Sequence, residues 1–153
     1  MLWGLAGLVF LFVYVEDWGR DWTTWEAEIS AGAEDPGLRP LTSRRPPDQM
    51  VDAVKMAARR IRNWDYVGEA ANEDVTLVYF VRTNRLLRIK DDVTIRIERR
   101  SGETFVGGDA RSRWHVGDLG RNPRSLRRFL AELRVVLDGS VPDRLRATAV
   151  LSR

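Results

Sequence analysis

Two stretches with helical hydrophobic spacing frame a middle region in which the spacing falls to two. Between Asp48 and about Arg62, Val51, Val54, Ala58 and Ile61 recur at steps of three and four, with Lys55, Arg59, Arg60 and Arg62 on the other side. Such spacing lays one apolar stripe on a helix. Asp48 is its expected N-cap, with Pro46 and Pro47 before it. Leu126, Phe129, Leu130, Leu133 and Leu137, with Val136 at the margin, make a second stripe. That helix is expected to open at Asn122-Pro123 and to close at Gly139, since Asn caps well, Pro suits a first helical position and Gly suits a left-handed end. Between the two, Trp64 to Ala70 alternates weakly, and Val75 to Thr83 is β-branched and aromatic. Leu86, Leu87 and Ile89 open a further strand that Val93, Ile95 and Ile97 continue in strict alternation, and Thr104 leads into another that reaches Arg113. Asn72-Glu73-Asp74, Asn84 and Ser101-Gly102 mark the turns, and Gly107-Gly108 reads as a bulge. The order helix, strands, helix predicts an α+β fold, an antiparallel sheet of about four or five strands with two helices on one face.

The beginning of the chain follows a different rule. Leu2 to Val15 carries no charge, and apolar residues occupy nearly every position. As a helix it spans about 21 Å, short of the roughly 30 Å of a bilayer core. A signal peptide fits poorly, because neither a basic leading region nor a small-residue cleavage site is visible. Trp18, Trp22 and Trp25, with Ile29, then fall at steps of four, three and four on one helical face, among Glu16, Asp17, Arg20, Asp21, Glu26 and Glu28. Tryptophan favours the headgroup zone of a membrane. The expectation is therefore a membrane anchor helix and a Trp-rich interfacial helix over residues 1–29, with Trp3, Phe10, Phe12, Trp18, Trp22 and Trp25 contacting lipid or partner proteins. The alternatives are a core segment of a soluble protein and a helix leaning on other transmembrane helices. Residues 30–47, rich in Gly and Pro, read as an extended linker arm that spaces the domain or straps onto a partner. Residues 48–139 form the globular domain, and residues 140–153 a C-terminal tail.

Composition narrows the chemistry. The chain of 153 residues has no cysteine and a single histidine, His115. Thiol catalysis, cysteine-ligated metals and a multi-histidine site within one copy are excluded. Residues 1–81 hold 8 basic and 13 acidic side chains, whereas residues 82–153 hold 17 basic and 9 acidic ones. Of the basic residues, only Lys55 and Lys90 are lysine; the rest are arginine. A coding bias towards arginine explains this as well as a basic face for anionic lipid or an acidic protein does. Arg121, Arg124, Arg127, Arg128 and Arg134 are the expected basic surface. No nucleic-acid-binding motif is recognisable, so nucleic acid is not an expected partner, and no cofactor is expected.

Asp91-Asp92-Val93, then Arg113, then Asp118-Leu119-Gly120 and Asn122 before a basic helix resemble the bacterial and plastid "domain of unknown function 1499" family, over about residues 48–138. Its pattern runs Asp-Asp-Val, an Arg-Ser-Ala-Ser-Arg-like strand, then Asp-Leu-Gly-x-Asn-Arg. Here Asp109 replaces the strand's first arginine, Trp114-His115 replaces a Val-Gly, and Pro123 replaces the arginine after the asparagine. The family's Pro-Asn-Cys-Val segment is missing. The resemblance implies export or tethering to a membrane, photosynthetic in plastid members, and implies no activity.

Asp91, Asp92 and Asp118 with Arg113 and His115 are residue types suited to acid–base chemistry or a divalent cation. Against that, Asp91 and Asp92 as strand neighbours point to opposite faces. Arg113 opposite an Asp makes a charge-assisted pair, and Asp118 bonds backbone donors in its own turn. Asp91, Asp92, Arg113, Asp118, Gly120 and Asn122 are therefore read as a fold motif, with no catalytic or metal-ligating residue assigned. The expected function is a non-enzymatic accessory subunit, anchored in the bacterial inner membrane and docked on a larger integral membrane complex, photosynthetic or respiratory. The family's habit of export points to the periplasmic side. The alternatives are a module binding a ligand or anionic lipid, and a hydrolase-like enzyme using Asp92, Asp118 and His115.

Overall fold

The computed structural model describes residues 26–84, 88–113 and 120–139. Expectations for the anchor and its aromatic contacts (Trp3, Phe10, Phe12, Trp18, Trp22, Trp25), for His115 and Asp118, and for the tail lie outside these residues. Among the described residues, no helix is long and apolar enough to cross a membrane.

Four strands form an antiparallel meander: β3 (Trp64–Ala71), β4 (Val75–Thr83), β5 (Lys90–Arg100) and β6 (Glu103–Ser112). Local chemistry fixes the turns. Asn72 Oδ1 accepts from the backbone N–H of Asp74 at 3.2 Å and of Val75 at 2.8 Å, so the side chain imitates a turn carbonyl. Ser101 and Gly102 both have positive φ, 50° and 84°, the twist that lets a two-residue hairpin follow its strands. Alternation then sorts the faces. On β5, Asp91, Val93, Ile95 and Ile97 are buried while Asp92, Arg96 and Arg100 are exposed.

Two more strands come from segments expected to be helix and arm. β1 (Glu26–Ile29) and β2 (Leu41–Ser43) both pair with β6, so the sheet has six strands in the order β1-β6-β5-β4-β3 with β2 also on β6. Glu26 faces Arg111 and Ile29 faces Gly108; Leu41 faces Val106 and Ser43 faces Thr104. The two are thus one edge strand, interrupted opposite Gly107. Residues 26–29 are strand and not interfacial helix because Ala27 and Ile29 turn to the core while Glu26 and Glu28 face solvent. This period of two was hidden inside the wider spacing of the tryptophans. The arm is likewise laid on its own domain. Ser30 N–H donates to Leu38 O at 3.1 Å, a 3-10 turn spans Pro36–Leu38, and Leu38 and Leu41 are buried.

Helix α1 (Pro47–Arg60) starts two residues earlier than expected. Pro46 holds the N-cap position without a side-chain bond, and Asp48 lies inside the first turn. Pro47 suits the first helical position because its missing N–H has no partner to lose there. Helix α2 (Arg121–Gly139) also starts early, with Asn122 buried in its first turn. Both helices pack on the face carrying Val78, Phe80, Val93, Ile95, Ile97 and Val106, through Met50, Val54 and Ala57 of α1 and Leu126, Phe129, Leu130 and Leu133 of α2. Val136 is buried and Leu137 only partly so, the reverse of their expected weights. The bulge lies in β3, between Tyr66 and Gly68, while β5 and β6 keep register through Gly107 and Gly108.

Candidate functional site

Where β4 ends, β5 begins and α2 begins, the core contains charge. Arg82 and Asp91 stand opposite each other on β4 and β5, in phase with Phe80 and Val93, so alternation turns both inward. Asp91 has no exposed surface. Its Oδ2 accepts from Arg82 Nε at 2.9 Å and also from Arg82 Nη2. Its Oδ1 lies 3.5 Å from Arg121 Nη2. Arg82 Nη1 donates to Arg121 O at 2.9 Å, and Arg82 Nη2 to Asn122 Oδ1 at 2.9 Å. The Asn122 amide thus receives Arg82, which is why it does not act as the expected cap. One guanidinium ties two strands to the first turn of α2, in the forked geometry that arginine favours.

Above this cluster opens a pocket of about 470 Å³. Its walls are Ile61 to Trp64, which link α1 to β3; Arg82 to Asn84, which end β4; and Arg121, Arg124, Ser125 and Arg128 on the first turns of α2. Backbone and side chains lock the walls together. Asn63, at φ 70°, takes a left-handed conformation that asparagine tolerates, and its carbonyl accepts from Thr83 N–H at 3.0 Å. Trp64 Nε1 donates to Ser125 Oγ at 3.2 Å, and its ring stacks on Phe129 at 5.3 Å.

The pocket's lining is basic, with the buried carboxylate of Asp91 beneath it shared by two of its arginines, Arg82 and Arg121. Five arginines, Arg62, Arg82, Arg121, Arg124 and Arg128, line it, and among the described residues no carboxylate does. They surround the N-terminal end of a helix whose first turn has no acidic residue. A helix N-terminus carries partial positive charge and ordinarily attracts Asp or Glu. Cations gathered there break that local rule, and such breaks concentrate at functional sites. The arrangement can receive an anion, with arginine forks matching carboxylate or phosphate oxygens.

The basic surface predicted from sequence is divided by the fold. Arg121 is buried at 9% exposure, which corrects its placement on the surface. Arg124 and Arg128 line the pocket. Arg127 pairs with Asp35 at 3.4 Å, and Arg134 is exposed elsewhere on the helix. Asp92 and Arg113 pair on the outer face, with Nη2 to Oδ1 at 2.7 Å, so Asp91 and Asp92 serve opposite sides of the sheet. Arg82, Asn63 and Ser125 were not foreseen. A charge at a core-facing strand position, two steps of alternation beyond Val78, was the available signal for Arg82. Among the described residues, no group of three or more His, Asp or Glu could hold a metal ion.

A sequence profile described as "Protein of unknown function (DUF1499)" matches residues 22–133. No curated protein and no solved structure matches the chain. The profile takes in β1 and β2, in keeping with their place in the sheet, and covers most of the sequence; the chain belongs to the DUF1499 family of proteins of unknown function.

Proposed function

We propose that this chain is a non-enzymatic binding module that receives an anionic group in the arginine-lined pocket at the start of α2. The observation that carries this reading is the gathering of five arginines around the positive end of a helix, where Arg82 and Arg121 share the one buried carboxylate of Asp91 and none of the described lining residues is acidic. The buried cluster supports a binding role over a catalytic one. Asp91 is closed off from solvent and committed to Arg82 and Arg121, so its carboxylate has no path to a substrate. Melting the full chain in mild detergent, with sulfate or chloride at matched ionic strength, tests the reading. Stabilisation by sulfate that is lost in Arg124→Gln/Arg128→Gln supports it. Equal melting in both salts counts against it.

A second reading places the module at a membrane. The apolar run Leu2 to Val15 and the tryptophans after it favour an N-terminal anchor helix. The chain would then be an accessory subunit of a larger integral membrane complex, photosynthetic or respiratory, on the periplasmic side of a bacterial inner membrane. Purification from membranes in mild detergent is the test. Recovery with integral membrane proteins in fixed proportion supports it; recovery alone from the soluble fraction refutes it.

A further inference from the structure

The sheet ends in two unlike edges. On one side β1 and β2, of four and three residues, are separated by the arm between them. On the other, β3 runs for eight residues and, among the described residues, pairs only with β4. A strand paired on one side presents backbone N–H and C=O groups to any chain that comes alongside, and lysine or proline is the usual guard against it. β3 has neither. Its Tyr66 and Val67 are instead 51% and 62% exposed. Past the bulge, from Gly68 to Ala71, its register with β4 is regular.

The two sides of this edge differ in chemistry, and the side chains of an added strand would alternate between them. On the α1 side, Tyr66 lies edge-on to buried Phe80 and borders a hollow lined by Lys55, Ala58, Arg59, Trp64, Tyr66 and Phe80. Lys55 is engaged by Glu69 at 2.7 Å and by the Tyr66 ring. Arg59 is exposed and has no ion pair among the described residues, so it is the cation open to a partner. On the other side, Gly68 and Ala70 stand opposite half-buried Tyr79 and Leu77, and Asp65 stands opposite Val81. Aliphatic groups there would extend an apolar row, whereas a carboxylate would meet Asp65.

We infer that β3 is a docking edge for an extended segment of a partner protein in which acidic residues alternate with aliphatic ones. The acids lie towards Arg59, and the aliphatic side chains lie on the side of Leu77 and Tyr79. Backbone pairing supplies affinity and the alternation selects the partner. This docking is separate from the anion pocket at the start of α2 and does not depend on it.

Synthetic peptides of the length of β3, titrated against the full chain in mild detergent, test the inference. One alternates valine with glutamate, a second valine with lysine, and a third is the glutamate peptide with a central proline. Amide hydrogen exchange of the chain is followed in parallel. The glutamate peptide is expected to bind about tenfold more tightly than the lysine peptide and to slow exchange from Gly68 to Ala71, and the proline peptide to do neither. Arg59→Gln should weaken the glutamate peptide about threefold, while Arg134→Gln on α2 leaves it unchanged. Equal affinity for the glutamate and lysine peptides, binding that leaves exchange in β3 untouched, or no binding each overturns the inference. Protection of β3 that grows with protein concentration in the absence of peptide also overturns it, in favour of a second copy at the same edge.

Discussion

Arg82 and Asp91 face each other across β4 and β5, and their side chains meet inside the core, with Arg82 Nε 2.9 Å from Asp91 Oδ2. A buried ion pair loses hydration on both sides and holds only where further hydrogen bonds complete it. Here the carbonyl of Arg121 and the amide of Asn122 complete it. The pair therefore connects strand register to the position of α2, and through α2 to the arginines of the pocket.

Removing one partner should be far worse than removing both. Asp91→Ala leaves two guanidiniums buried without their carboxylate and is expected to cost about 3–5 kcal/mol. Arg82→Leu/Asp91→Leu should recover the part of that loss due to Arg82, because the apolar pair carries no desolvation penalty, while Arg121 stays without its carboxylate. Urea unfolding of the variants measures both. A double variant no more stable than Asp91→Ala would show that the pair does more than neutralise itself.

One residue along β5, the same chemistry has little consequence. Asp92 and Arg113 are both half exposed, and the bond to Asp92 raises the Arg113 guanidinium above its ordinary range. Water screens exposed pairs and competes for their donors. Asp92→Ala should therefore move the melting midpoint by no more than about 2 °C. A drop comparable with that of Asp91→Ala would mean that the outer face of the sheet is covered in solution.

Much of the fold is legible because burial and spacing agree. Val93, Ile95 and Ile97 alternate and Leu126, Phe129, Leu130 and Leu133 make a stripe, and all of these are core. The hairpin at Ser101-Gly102 needs positive φ, and its residues supply it. Legibility fails where two periods overlap. Ile29 follows Trp25 at a helical step, yet Ile29 also alternates with Glu28, and pairing with β6 decides for strand. The arm is short of apolar residues, and only tertiary contact shows Leu38 and Leu41 to be core. Half of the pocket could be anticipated, since the basic residues of α2 stand out in sequence. Its other wall could not, because Arg62 and Arg82 come from segments brought to α2 only by the meander.

Gly108 should be among the least replaceable positions. Its φ is 154°, and a Cβ there would lie 2.3 Å from the carbonyl oxygen of Thr94 on β5. The backbone oxygen cannot move without breaking the ladder. Gly108→Ala is expected to cost about 3 kcal/mol. Gly68, where an added Cβ meets nothing within 4 Å, is the matched control, and Gly68→Ala should be neutral or gain about 0.5 kcal/mol. Urea midpoints decide; equal effects at the two glycines would refute the close approach at β5.

Asp109 gives a pH dependence of defined sign. It stands opposite Glu28 on the β1–β6 pair. Desolvation there raises its carboxyl above the ordinary value of 3.8; Arg111 opposes the rise, and Glu26 and Glu28 add to it. An acid whose folded pKa lies above its unfolded one holds its proton longer in the folded state. Stability therefore falls as pH rises from the unfolded value through the folded one, and is flat above. Asp109→Asn removes both the titration and the repulsion of two carboxylates facing across strands. At neutral pH the variant should be more stable by about 0.5 kcal/mol. The gain should shrink as pH falls and vanish below about 3, where the wild-type carboxyl is protonated in both states. Subtracting the two stability–pH curves isolates this group, since every other titration is shared. A gain that is constant from acid to neutral pH would trace to packing of the amide and not to charge; a loss at neutral pH would show that the pair with Arg111 outweighs both.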